Sequence, residues 1–204
     1  MARPAYTRLQ IDERRRQLLD AGAALFAERA YEDISMREIA ATAGVSKALL
    51  YHYFPSKTDL FTAAVAEAAA ELERLIEPTG GGTPVEKLER SLDAYLGWIE
   101  DNARVWSTLM RSVANLPEAR GALEAFRAQT MAIVLTELTG PGVPRPALRV
   151  AISGWLGYMD AAILDWTSGR DLDREQLRQL LLAAFGAALL GARQVDPLVE
   201  LRLG

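Results

Sequence analysis

Residues 34–57 read "ISMREIAATAGVSKALLYHYFPSK", and this stretch dictates two short helices joined by a tight turn. Ser35 precedes "MREIAATA" with Glu38 three residues on, the spacing at which the two side chains cap each other's backbone N–H groups at a helix start. Gly44 ends that helix, since glycine takes the conformation of a helix C-terminus at little cost. Ser46 caps a second helix, and "FPSK" stops it, because Pro55 disfavours helical geometry at Phe54. Ser56 with Asp59 opens the next helix, which runs to about Glu77.

Two short helices around a glycine-containing turn make a helix-turn-helix, and the faces of the second helix indicate its use. At about 100° per residue, Lys47, Ala48, Tyr51 and His52 fall within an arc of about 140°, and Leu49, Leu50, Tyr53 and Phe54 fall on the opposite arc. The aliphatic and aromatic arc, with Val45 and Ile39, is a packing surface. The other arc is basic, small and hydrogen-bonding, which suits a DNA groove. Lys47 sits in the first turn, where base edges are reached. Ala48 permits close backbone approach, or contact with a thymine methyl. Tyr51 and His52 can donate to phosphate oxygens, and Lys57 adds a charge just past the turn.

His52 is the only histidine, and there is no cysteine. The usual zinc ligand sets therefore have no members to assemble, and no nucleophile is matched to His52 for a catalytic triad. No metal, no cofactor and no catalytic residue is expected. A helical-bundle enzyme would need paired Glu-x-x-His ligands, which are absent. A helix-turn-helix that binds protein instead of DNA stays open on these residues alone.

The chain has 204 residues, 50% of them hydrophobic, enough for one large domain or two small ones. Its net charge of −4 is uneven: residues 1–60 carry nine Lys/Arg against eight Asp/Glu, and residues 61–204 carry 14 against 19. Arg3, Arg8, Arg14, Arg15 and Arg16 concentrate positive charge at the front, and a local basic surface matters more for phosphate binding than the whole-chain sum. "MARPAYTRLQIDERRR" lacks the apolar core of a secretory leader. The longest uncharged apolar stretch, "QLLLAAFGAALLGA" at 179–192, falls short of the roughly 20 residues that span a bilayer. A cytoplasmic protein without membrane segments is expected.

Helical periodicity continues on both sides of the motif. Leu18, Leu19, Ala21, Leu25 and Phe26 mark a helix over 7–29, broken by "YEDI". "PTGGGTP" at 78–84 is a loop, and Thr83, Pro84 and Glu86 open the helix after it. Further helices are expected at about 103–115, 118–138, 146–168 and 174–193, with "TGPGVPRP" at 139–146 as a second break. Asp173 caps the last helix with Gln176, and Leu172 and Leu177 are spaced as a hydrophobic staple. About nine helices and no strand pattern make an all-α chain.

Residues 34–65, "ISMREIAATAGVSKALLYHYFPSKTDLFTAAV", resemble the DNA-binding domain of the tetracycline-repressor (TetR) family of bacterial transcriptional regulators. "REIA", "AGVSKALLYHYF" and "PSKTDLF" stand at the family's spacing from an amphipathic helix with "LLDAGAALFAERAYEDIS", so the likeness covers roughly residues 10–65. The resemblance implies an N-terminal three-helix DNA-binding domain over 1–55 and a larger helical effector-binding and dimerisation domain over 56–204. It implies that Thr42, Lys47 and Ala48 lie at or near base edges, and that Arg37, Tyr51, His52 and Lys57 contact phosphates. It further implies a homodimer on a palindromic double-stranded DNA operator, acting most simply as a repressor released by a small-molecule effector. Arginine outnumbers lysine 20 to 3, which fits a GC-rich bacterial genome.

Beyond the motif, "PALRVAISGWLGYMDAAILDWTS" at 146–168 and much of 177–192 are apolar on nearly every face. A helix apolar all round must be buried all round, so a partner surface is expected, with Gly154, Gly157, Gly186 and Ala187 allowing close helix contact. The resemblance implies a four-helix bundle between subunits here. Tyr95, Trp98, Trp106, Met110, Phe126, Met131, Trp155, Tyr158 and Met159 are candidates for an effector pocket, although large side chains at helical spacing are more often plain core. Asp160 and Asp165 need partners if buried, whether an arginine of the partner subunit or a ligand, and Asp160 joins the effector candidates.

Overall fold

A computed structural model describes residues 5–77, 80–169 and 171–202. Arg3 lies outside the described residues, as do the side chain of Arg8 and residues Pro78 and Thr79 of the first expected loop. Among the described residues there are nine α-helices and no strand: α1 Ala5–Glu28, α2 Met36–Thr42, α3 Lys47–Tyr53, α4 Lys57–Ile76, α5 Pro84–Asp101, α6 Ala103–Asn115, α7 Pro117–Thr139, α8 Pro146–Gly169 and α9 Arg174–Val195. The "YEDI" break is a single 3-10 turn at Tyr31–Asp33.

The helix starts follow the capping chemistry of the sequence. The Ser35 hydroxyl accepts from the Glu38 N–H at 3.2 Å, and the Glu38 carboxylate accepts from the Ser35 N–H at 3.5 Å. Ser46 accepts from the Leu49 N–H at 3.2 Å, and Ser56 accepts from the Asp59 N–H at 3.1 Å while donating to the Asp59 carboxylate at 2.7 Å. Reciprocal caps also close Thr83 with Glu86 and Asp173 with Gln176. Gly44 has φ +66, the left-handed value that lets the chain turn from α2 into α3.

The chain divides into two compact units. The first comprises residues 1–70 and 104–123, so it holds α1 to α3, most of α4, and α6 with the start of α7. Its core is built on Leu18, Phe26, Ile34, Ile39, Leu50, Phe54, Leu60 and Phe61, all nearly inaccessible. The Phe26 and Phe61 rings meet edge to face at 4.9 Å, a geometry that adds to simple area burial. At Gly22 an added Cβ would come within 2.9 Å of Leu60, which is why α1 carries no side chain there.

The second unit comprises residues 71–103 and 124–204, with α5, most of α7, α8 and α9. Leu148, Ile152, Trp155, Leu156, Met159, Ile163 and Trp166 form the buried stripe of α8, recurring every three or four residues. Trp155 donates its indole N–H to the Leu181 carbonyl at 3.0 Å and meets Phe185 edge to face, tying α8 to α9. The opposite side of α8 and α9 is apolar yet bare in the single chain: Val150 is 60% exposed, Leu190 71% and Val195 81%. The reason is arithmetic, since one chain supplies packing partners to one side only. By length and composition α8 is apolar enough to cross a membrane, a span longer than the 179–192 stretch singled out from sequence.

Candidate nucleic-acid interface and ligand cavity

The orientation of α3 follows from Leu50 and Phe54, which are sealed in the core of the first unit. Lys47, Ala48, Tyr51 and His52 are thereby left exposed, on the arc that the helical period assigns them. Leu49 departs from its assigned packing face at 36% exposure, because it lies about 100° around the helix from Leu50, at the margin of the packed arc. Tyr53 is half-buried for the same reason. The Lys47 ammonium rests 5.5 Å from the Tyr51 ring centroid, and His52 meets the edge of Tyr53 at 5.4 Å.

A shallow depression lined by Ile34, Ser35, Met36, Arg37, Lys47, Tyr51 and Lys57 brings together four of the seven candidate DNA residues. Ala48, His52 and Thr42 lie outside it, Thr42 exposed at the end of α2 and the other two on the exposed face of α3. Lys57 has company that sequence reasoning missed. Its ammonium donates to the carbonyls of Tyr31 at 2.7 Å and Ile34 at 2.8 Å and lies 4.0 Å from the Tyr31 ring centroid. Burial lowers its pKa, with Glu32 and Asp33 acting in the opposite direction. Two of its three N–H donors thus cap the 3-10 turn, leaving one for an external anion. The acceptors lie 23 and 26 residues away in the chain, so no local signal announced them. Arg15, whose guanidinium lies 4.9 Å from the Phe54 ring centroid, was likewise not singled out as a contact residue.

In the second unit, a cavity of about 90 Å³ lies among α5, α7, α8 and α9, and about 780 Å³ of space opens around it when its mouth is included. Of the effector candidates, Tyr95, Phe126, Trp155 and Met159 line it. Trp98 and Met131 are half-buried elsewhere, and Tyr158 points outward from α8, one residue and hence about 100° from Met159. Trp106 and Met110 belong to α6 in the first unit, so helical spacing of large side chains grouped residues that the fold separates. Asp160 is outside the lining and pairs with Arg127 of its own chain at 2.7 Å. Burial raises the Asp160 pKa even though Arg127 pulls it down. Burial, reinforced by the Asp160 charge, also raises that of the Tyr95 phenol, which therefore stays protonated. Asp165 is exposed. The missed lining residues include Lys87, Leu88, Ile133 and Glu137, whose types are too ordinary to stand out in a sequence.

Residues 18–64 match the family model of bacterial regulatory proteins, tetR family, and residues 84–188 match that of the tetracyclin repressor-like C-terminal domain. The chain belongs to the TetR family of bacterial transcriptional regulators. Both matches fall on the elements just described, the first on α1 to α4 and the second on α5 to α9. An HTH-type transcriptional regulator of Mycobacterium tuberculosis is 33% identical over 159 residues, 76% of each chain. The transcriptional repressor KstR of Mycolicibacterium smegmatis is 40% identical over 81 residues, which span 37% of this chain and only 38% of that repressor. A solved TetR-family regulator from Streptomyces coelicolor superposes with TM-score 0.81 at 26% identity, covering 91% of this chain and 84% of its own.

Proposed function

We propose that this family member is a ligand-responsive, DNA-binding repressor that holds a palindromic operator as a homodimer and leaves it when a small molecule fills the cavity. The observation that carries the reading is the exposed face of α3. Lys47, Ala48, Tyr51 and His52 are bare on a helix whose other side is locked into a core, beside Arg37 in the same surface region. In this reading Lys47, Ala48 and Thr42 meet base edges, and Arg37, Tyr51, His52 and the remaining donor of Lys57 meet phosphates. Residues 1–55 form the DNA-reading part, residues 56–204 serve dimerisation and effector binding, and the protein works in the cytoplasm without a catalytic step. KstR is named a repressor, and the relative FasR of Mycolicibacterium smegmatis is named an activator. The sign of regulation depends on where the operator lies relative to its promoter.

Dimerisation is supported by the bare side of α8 and α9. Gly154 and Gly157 are exposed, and a Cβ added at either would meet nothing within 4 Å in its own chain. A surface of small residues and exposed aliphatics suits close packing of the same helices from a second copy. For control by ligand, α4 is the connecting element: Lys57 at its start caps the 3-10 turn, and the Ile76 carbonyl at its end accepts from Ser91 of the cavity wall at 2.6 Å. A ligand that binds one placement of α4 better than another shifts the population of DNA-competent dimers.

The test is selection of bound DNA from a genomic pool, followed by footprinting. The expected outcome is a palindrome with half-sites about 34–36 Å apart and binding that weakens steeply with salt. Recovery of no enriched sequence, or binding indifferent to salt, would sink the reading.

A further inference from the structure

Three of the hydrogen-bonding side chains on the cavity walls already donate to backbone carbonyls, and the Tyr95 phenol is buried there. Ser91 donates to the Ile76 carbonyl at 2.6 Å, Thr130 to the Phe126 carbonyl at 3.0 Å, and the Trp155 indole to the Leu181 carbonyl at 3.0 Å. What remains is hydrocarbon and aromatic surface, which rewards apolar contact and penalises a ligand with polar groups along its body.

The cation on the lining is Lys87, in the first turn of α5. Its ammonium donates to the Glu137 carboxylate at 2.8 Å, and its side chain is 23% exposed against 35% for Glu137. Among the contacts of the described residues that uses one of three N–H donors and leaves two, and the ammonium is less hydrated than the carboxylate, so it gains more from a new partner. A head group that brings acceptors satisfies those idle donors without breaking the existing pair. A head group that brings only donors would have to share Glu137 with Lys87.

We propose that the cavity binds a small amphipathic anion, with a compact apolar body against Leu92, Phe126, Trp155 and Met159 and one carboxylate received by Lys87 at the polar end. This rests on the effector reading of the cavity and names the chemistry of its ligand. The modest volume favours a short body, and the open mouth leaves room for the head.

Calorimetric titration with octanoate, octanol and octylammonium, each below its self-association limit, tests the assignment. Octanoate binds tightest and octylammonium weakest. Lys87→Met weakens octanoate about tenfold while leaving octanol nearly unchanged. Glu137→Gln frees Lys87 and tightens octanoate, a gain that mere loss of folding cannot mimic. Met159→Trp fills the cavity and removes binding of octanoate and octanol alike, with thermal melts checking that each variant is folded. Preference for octylammonium, octanoate binding indifferent to Lys87→Met in a folded variant, or weaker octanoate binding in Glu137→Gln overturns the proposal. Operator affinity measured alongside separates the two readings. Octanoate that binds but leaves DNA affinity unchanged refutes the effector role and keeps the ligand class. A different molecule that releases DNA while octanoate does not bind refutes the ligand class alone.

Discussion

The two faces that this chain leaves bare are chemically opposite. On α3 the exposed residues are Lys47, Ala48, Tyr51 and His52; on α8 and α9 they are Val150, Gly154, Gly157, Leu190 and Val195. A cationic, hydrogen-bonding face is stable in water and trades hydration for phosphates and base edges. An apolar face with glycines gains nothing from water and is best relieved by a close-packed helical partner. Both surfaces answer the same physical question, what replaces water, and each calls for a different occupant.

Gly157 offers the most severe test of the apolar face. A Cβ there meets nothing in its own chain, so Gly157→Glu leaves the protomer folded while placing a charge on the bare side of α8. Operator affinity is expected to fall on the order of a hundredfold as the two half-sites lose their linkage, and sedimentation should report monomers. A variant that stays dimeric with unchanged DNA affinity would remove this face from the dimer.

Lys47→Ala tests the other face. If Lys47 reads a base edge, the loss is about 1–3 kcal/mol on the preferred operator and vanishes on operators changed at that one base pair. Titrations against a set of single-substitution operators separate this from a uniform loss, which would make Lys47 a phosphate contact instead.

The difference between the regions also explains what could be read from the sequence. The DNA-binding unit announces itself because its instructions are local: Ser35 and Glu38 are three residues apart, as are Ser56 and Asp59, and Leu50 and Phe54 stand one turn apart. The helices of the second region were legible for the same reason, through Thr83 with Glu86 and Asp173 with Gln176. The cavity was not, because it is made between helices. Lys87 and Glu137 are separated by 50 residues, and nothing in either neighbourhood specifies the other. Aromatic content misled for a related reason, since Trp106 satisfies a packing requirement in the first unit that looks, in one dimension, like the lining role of Trp155.

Lys57 sits between the two kinds of legibility. Its position after the turn suggests a phosphate contact, while its ammonium is mostly engaged by the Tyr31 and Ile34 carbonyls. Lys57→Met is therefore expected to cost about 1–3 kcal/mol of stability by taking the donor from the partly buried Ile34 carbonyl, while the Tyr31 carbonyl keeps the Ile34 N–H at 3.3 Å. The slope of log affinity against log salt should fall by less than the roughly one unit of a dedicated phosphate lysine. Chemical denaturation and salt-dependent DNA titration read the two effects separately. A full unit of slope with unchanged stability would return Lys57 to the phosphate-contact class.

The smallest expected effect belongs to Asp160, and its sign is informative. Below the ordinary carboxylate value of 3.8 the group is neutral whether the chain is folded or not. Burial raises its folded pKa, so as pH climbs from that value the folded protein must hold an ionised carboxylate that the unfolded chain hydrates more cheaply. Stability relative to Asp160→Asn should therefore decline as pH rises through the carboxylate range, with Arg127, 2.7 Å away, limiting the decline. Melting curves of both proteins across that range give the difference directly. A wild type that instead gains on the variant with rising pH would mean that the Arg127 pair outweighs burial, and that Asp160 is a structural ion pair that favours its own charge.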